Sequence, residues 1–177
     1  MANKIFLSLG SNIGDRTENI MSALSFLQSS GYINIKKISS FYKTLAIGPK
    51  QRDFYNIAVE AGTELSPYGL LSLVKHAETL LGRTDGKNPK RWGPRLIDID
   101  ILFFDKKIIQ KDSFAARLDE GLIIPHKEIS KRLFVLIPLN EIASDFVHPI
   151  LNRKINQILR ENLLTLKKQK VKIINNG

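Results

Sequence analysis

Asp98 and Asp100 stand one residue apart in the run RLIDIDILFF (95–104), where every other residue after the leading arginine is apolar. On an extended chain side chains alternate, so Ile97, Ile99, Ile101 and Phe103 share one face while Leu96, Asp98, Asp100 and Leu102 share the other. Two neighbouring carboxylates repel, and leaving both ionised and unpaired in an apolar setting is costly, so a countercharge is expected. Magnesium is one such partner, because it accepts a few carboxylate oxygens and fills its other positions with water and phosphate. Salt bridges to arginine are the other, and for an isolated Asp-x-Asp the two readings stand about level. Here Arg83, Lys87, Lys90, Arg91 and Arg95, opposed only by Asp85, lie just upstream among Gly86, Pro89, Gly93 and Pro94. Guanidinium groups grip phosphate oxygens in pairs, and metal with arginine is the recurring equipment of phosphoryl transfer. That combination favours a small polyanion handled with metal ions. The P-loop pattern and the protein-kinase signatures are absent, and Gly10-Ser11-Asn12-Ile13-Gly14 lacks dinucleotide-binding spacing, so it reads as a tight strand-to-helix turn.

The elements that must carry these residues follow from periodicity and breakers. A strand is predicted over Lys4–Leu9, then a helix from about Asp15 with Ile20, Ala23, Leu24 and Leu27 on its apolar face and Gly31 closing it. Ile33, Ile35 and Ile38 begin a second strand that runs on through Phe41 and Tyr42. Thr44 to Arg52 reads as a loop, and Phe54 to Glu60 as a third strand. Ser66-Pro67 starts a second helix that Gly82 stops. Residues 83–95 form the basic loop and the aspartate strand follows, with Lys106–Ile109 as its hairpin partner. A short helix at His126–Lys131, an apolar segment at Leu133–Leu139 and a last helix at Lys154–Leu166 complete the chain. The order strand, helix, strand, strand, helix, strand fits an α+β, ferredoxin-like βαββαβ sandwich: a mainly antiparallel sheet with helices on one face and one long mobile loop.

With 177 residues and 43% apolar content the chain can bury one sizeable core, and residues 1–177 are read as a single domain. No apolar run is long enough for a signal peptide or a membrane span, so a cytoplasmic protein is expected. The absence of cysteine excludes disulfides and thiolate chemistry. Of the net charge of +10, +6 falls after residue 150, which leaves +4 for the rest. The charge is therefore focused at the basic loop and in the tail, not spread along a groove suited to nucleic acid.

The segments LSLGSNIGDR (7–16), SSFYKT (39–44) with the following IGP, DFYNIAVE (53–60), RWGPRLIDIDIL (91–102), IPHKEISKRLFVLIPLNEIA (124–143) and HP (148–149) resemble, in order and spacing, the 6-hydroxymethyl-7,8-dihydropterin pyrophosphokinase family. The resemblance covers about residues 4–152 and leaves 153–177 as a C-terminal extension. It implies an α+β, ferredoxin-like enzyme of folate biosynthesis that moves diphosphate from ATP to the pterin hydroxymethyl group and releases AMP. By the same resemblance, Asp98 and Asp100 hold two Mg2+ ions that bridge the ATP phosphates. Arg83 and Arg95 match catalytic basic residues of the loop and its base, and Arg91, Trp92, His126 and Arg132 match nucleotide contacts. Lys87 stands in for a second loop arginine, Asp85 being where that residue is often found. Glu78, Ile101 and Lys127 match positions that line the nucleotide site. Phe54 and Phe134 match the two rings that sandwich the pterin, Asn56 an amide that reads its edge, and Thr44, Leu45 and Ile47 the adjoining loop. Trp92 also matches a loop residue that in the family folds over the site. Taken alone, Phe54 and Phe134 would read as core. Chain-specific departures are Ala46 in place of a frequent proline and Gly121 in place of an arginine.

The expected partners are ATP and 6-hydroxymethyl-7,8-dihydropterin, with no nucleic acid and no membrane. A monomer is expected, with self-association through the extension as the alternative. A basic RNA-binding module of ferredoxin-like topology and a catalytically silent relative are the competing functions. The first lacks the aromatic RNP signature, and the second lacks any missing metal ligand to recommend it.

Overall fold

The computed structural model describes residues 2–45, 51–82, 93–110, 121–167 and 169–174. The first half alternates strands and helices: β1 (Asn3–Ser11), α1 (Arg16–Ser29), β2 (Ile33–Ile38), β3 (Tyr42–Thr44), β4 (Phe54–Thr63) and α2 (Pro67–Leu80). Then come β5 (Asp98–Phe104), a 3-10 turn (Ile129–Lys131), α3 (Leu133–Ala143), β6 (Val147–His148), β7 (Arg153–Lys154), α4 (Ile155–Thr165) and β8 (Val171–Ile173). The main sheet is antiparallel in the order β5-β1-β4-β3-β8, with β2 also pairing β4.

The helix starts follow their caps. Asp15 accepts the amides of Thr17 and Glu18 to open α1, and Ser66 accepts that of Gly69 to open α2 with Pro67 in the first turn. Gly82 ends α2 at φ +98°, a conformation that side chains resist, and an added Cβ would lie 2.9 Å from Leu96. The expected second strand divides in two at Ser39. There the Ser39 hydroxyl accepts the Ala58 amide while the Ser39 amide donates to the Ala58 carbonyl, so a side chain replaces part of the ladder.

Helices cover both faces of the sheet, not the single face expected. Ile5, Leu7 and Leu9 of β1 pack toward α1 and α2, whereas Phe6, Ala58, Leu102 and Phe103 pack toward α3 and α4. The reason is that the second face is apolar at one end and needs cover, which the sequence LFVLIPLNEIA supplies as α3. The same β1 face continues through Ser8 and Gly10 into the wall of a hollow. One face of one sheet is thus sealed at one end and open at the other.

Phe103 lies on this second face, contrary to simple alternation from Ile97. Phe6 pairs with Phe103 and Leu7 with Ile101, so Leu102 is a one-residue bulge that inverts every face after it. Leu102 also accepts the His126 amide at 3.0 Å, which docks the 121–127 segment beside β5. Lys106–Ile109 is not a hairpin strand. Asp105 turns the chain at φ +48°, its carboxylate taking the Lys4 amide, and only Ile109 bridges, to Ile124. No helix among the described residues is long and apolar enough to cross a membrane.

His148, buried in the β6–β7 turn, accepts the amides of Ile150 and Leu151 at Nδ1 and meets the Phe103 ring edge-on at 5.3 Å. Burial lowers its pKa below 6.5 and keeps the imidazole neutral. The unfolded chain therefore binds this proton more readily, so the contribution of His148 is full above pH 6.5 and declines as the pH falls from there. We expect His148→Ala to lose about 2–4 kcal/mol in urea unfolding near pH 7.5, with His148→Asn recovering part because its amide oxygen can accept the same N–H groups. Equal stability of the alanine variant would contradict this role.

Candidate active site

On the uncovered part of the second face, Asp98 and Asp100 project from β5, Ser8 and Gly10 from β1, and Phe54 and Asn56 from β4. Together with Thr44 and Leu45 at the end of β3, and Arg132 and Phe134 at the start of α3, they enclose a hollow of about 170 Å³. Its polar groups are pre-set. Asn56, 3% exposed, donates through Nδ2 to the Thr44 hydroxyl at 2.8 Å. Gly10 makes room for that amide, since a Cβ there would stand 2.8 Å from Asn56 Oδ1. Phe54 and Phe134 contribute apolar ring walls from β4 and α3.

A second hollow, of about 300 Å³, lies along the outer edge of β5. Lys75 of α2 and Ile99, Ile101, Gly121, His126 and Lys127 line it, and Asp100 borders both hollows. The edge of β5 is held by Glu78, fully buried on α2, whose Oε1 accepts the Ile99 amide at 2.7 Å while Oε2 meets the Lys75 ammonium at 3.1 Å. This contact pins the middle residue of Asp98-Ile99-Asp100 and so orients both carboxylates.

Around Asp100 the charges are arranged asymmetrically. Arg132 Nη1 stands 3.6 Å from Oδ2, and its guanidinium sits 5.6 Å from the centre of the Phe134 ring. His126 Nε2 is 3.9 Å from Oδ1, beyond hydrogen-bond reach. Burial first, and the Arg132 charge second, hold the His126 pKa down to about 4. The ring is therefore neutral near pH 7 and the contact with Asp100 is not an ion pair. His126 Nδ1 accepts the Glu128 amide, which assigns the proton to Nε2, the nitrogen that faces Asp100.

The residues expected from sequence divide by location. Thr44, Leu45, Phe54, Asn56, Asp98 and Phe134 meet at the first hollow, and Arg95, Asp100 and Arg132 join them there. Ile101, His126 and Lys127 line the second, with Glu78 behind it. Ile47, Arg83, Lys87, Arg91 and Trp92 lie outside the described residues, as does most of the basic loop.

Asn12 is the main residue that sequence reasoning passed over. Buried at the end of β1, it donates through Nδ2 to Gln51 Oε1 and the Arg52 carbonyl, and accepts the Arg95 amide at 2.7 Å. Its own amide donates to the Arg95 carbonyl. One side chain thereby fastens residues 51 and 52, just before β4, and the base of the basic loop at Arg95 to the same strand end. Gln51 at the first hollow, and Leu71 and Lys75 at the second, were given no role at the site, and Ser8 and Gly10 were read only as part of a strand and its closing turn.

Residues 6–144 match the model of the 7,8-dihydro-6-hydroxymethylpterin-pyrophosphokinase (HPPK) family. A Bacillus subtilis 2-amino-4-hydroxy-6-hydroxymethyldihydropteridine pyrophosphokinase is 42% identical over 144 residues, 81% of this chain and 80% of its own. The Aquifex aeolicus protein of the same name is 37% identical over 161 residues, 90% of this chain and 92% of its own. In fold, the chain is similar to the crystal structure of Plasmodium falciparum HPPK-DHPS wild type at a TM-score of 0.70 and 18% identity, covering 95% of this chain and 46% of that one.

Proposed function

This chain belongs to the 7,8-dihydro-6-hydroxymethylpterin-pyrophosphokinase family, and we propose that its two hollows are the pterin and nucleotide sites, joined at Asp100. It is an ATP-dependent pyrophosphokinase of folate biosynthesis, transferring diphosphate from ATP to the hydroxymethyl group of 6-hydroxymethyl-7,8-dihydropterin and releasing AMP. The observation that supports the site assignment is Asp100, which borders both hollows and so stands where the two substrates must meet.

The first hollow suits a flat, polar-edged bicycle: ring walls from Phe54 and Phe134 accept its faces, and the Asn56 amide reads its edge. A nucleotide in the second hollow lies against the β5 edge with its phosphates directed toward Asp100 and Arg132. In that arrangement the pterin hydroxyl oxygen forms a bond to the β-phosphorus, the β-phosphorus loses its bond to the oxygen that departs with AMP, and the hydroxyl proton passes to water. Arg95 and Arg132 counter the charge that spreads over the transferred group, while the neutral His126 offers an N–H to phosphate oxygen without adding a positive charge. Glu78 keeps Asp98 and Asp100 aligned through the Ile99 amide.

Two half-buried carboxylates on one strand are oxygen donors suited to magnesium that completes its shell with water and phosphate. Asp98 and Asp100 would hold it. Such ions supply charge neutralisation and alignment of the phosphates.

Arg83, Lys87, Arg91 and Trp92 are assigned by resemblance to a loop that closes over the nucleotide, and Ile47 to the pterin loop. The sheet order β5-β1-β4-β3, with β2 and β3 counted as one strand divided at Ser39 so that the succession is βαββαβ, supports the ferredoxin-like reading. We read the chain as one domain that acts as a monomer in the cytoplasm. An RNA-binding module is not favoured.

The test is product analysis: with MgATP and the reduced pterin, the chain should form AMP in step with pterin diphosphate. Formation of ADP alone, or nucleotide turnover independent of pterin, would overturn the assignment.

A further inference from the structure

Gln169 lies outside the 6–144 segment that matches the family, yet it holds the turn that carries two residues of the site. Its Oε1 accepts the Leu133 amide at 2.9 Å, and its Nε2 donates to the Lys131 carbonyl at 2.9 Å. The two bonds straddle Arg132, and Phe134 follows one residue later.

Arg132 occupies the N-cap position of α3, and no side chain of the helix's own sequence caps it. Serine, threonine, aspartate or asparagine would ordinarily stand at that position, with an oxygen to accept one of the orphan amides of the first turn. Arginine has no acceptor to offer. The first turn is weakened again by Pro138, which has no N–H to give to the Phe134 carbonyl. A stretch that must hold a guanidinium 3.6 Å from Asp100 and a ring in the wall of the first hollow is thus poorly secured by its own residues.

The extension supplies what is missing. After α4, strand β8 adds to the sheet edge against β3, pairing Val171 with Thr44 and Ile173 with Tyr42, and the Ile174 amide reaches the Phe41 carbonyl. That pairing sets Gln169, two residues before β8, against the start of α3. We infer that Gln169 is a positioning residue for Arg132 and Phe134: a helix cap delivered from the C-terminal extension, which leaves the N-cap position open to a phosphate-binding arginine. The inference rests on the site assignment made above and assigns the extension a part in substrate binding.

The experiment compares the full-length chain with Gln169→Ala, Gln169→Glu and the neighbouring surface variant Lys170→Ala. Amide exchange of Leu133, followed by NMR, should quicken by about tenfold or more in Gln169→Ala, because the hydrogen bond that protects it is gone. KM for ATP should rise about three- to tenfold and kcat should fall by a comparable factor, since an ill-placed Arg132 weakens both the hold on the phosphates and the balance of charge on the transferred group. Gln169→Glu keeps an acceptor for Leu133 and should restore most of the protection and most of the affinity. Lys170→Ala should match wild type in both. Unchanged Leu133 exchange in Gln169→Ala would overturn the cap, and faster exchange at an unchanged KM would overturn the positioning role. Failure of the unmodified chain to form AMP would instead strike the functional assignment, and the cap would then be judged on Leu133 exchange alone.

Discussion

Asp100→Asn is expected to lower kcat by about 10³-fold or more while leaving the unfolding transition near that of wild type. Asparagine keeps the shape of the side chain, so β5 and its Ile99 contact to Glu78 should persist. What disappears is negative charge at the residue that borders both hollows, 3.6 Å from Arg132. With that charge gone, Arg132 has no carboxylate at this point to balance it, and the phosphates lose one of the two anchors proposed for their metal ions. Asp98→Asn, at the other proposed metal anchor and in the lining of the first hollow, should reduce kcat by a similar order and also weaken pterin binding. Steady-state kinetics with each substrate varied in turn separates the two. Turnover within tenfold of wild type in Asp100→Asn would remove this residue from the reaction.

Asn12→Ala is the second large expected effect, and it acts at a distance from the reacting atoms. The substitution removes a buried side chain that bonds the Arg95 amide, the Arg52 carbonyl and Gln51 Oε1 across part-buried contacts. Each such hydrogen bond contributes on the order of 1 kcal/mol, so a loss of about 1–3 kcal/mol in urea unfolding is expected. Because the same side chain fastens both segments that frame the first hollow, kcat/KM should fall about 10²-fold, with KM raised for both substrates. Asn12→Asp retains the acceptor for Arg95 but loses the donor to residues 51 and 52, and should fall between. A variant with normal stability and normal KM for either substrate would show that the two loop bases are held independently.

The division of β5 into an apolar face and an acidic face was legible in the sequence, because alternation is a local property that two aspartates among isoleucines display directly. Phe103 escaped that logic. Its face depends on a bulge at Leu102, and a bulge exists only in relation to the partner strand β1. Asn12 was read as a turn residue for a similar reason: its partners lie 39 and 83 residues away, and no local pattern announces them. The helix start near Asp15 and the cap at Ser66 were readable, since each bonds within its own first turn. The missing cap of α3 was not, because Gln169 supplies it from 36 residues downstream. The second helical layer was missed because Leu133–Leu139 was seen as an apolar segment without a face to cover, and that face is formed by Phe6, Ala58, Leu102 and Phe103 from three strands.

Asp98 and Asp100 would hold the metal ions that neutralise and align the nucleotide phosphates at the junction of the two hollows. Manganese, as a paramagnetic substitute for magnesium, can be counted directly by electron paramagnetic resonance in the presence of a non-hydrolysable ATP analogue. The wild-type chain should bind about two ions in the ternary complex, and the Asp98→Asn, Asp100→Asn double variant should retain fewer than one at the same concentrations. An unchanged count in the double variant would contradict the account.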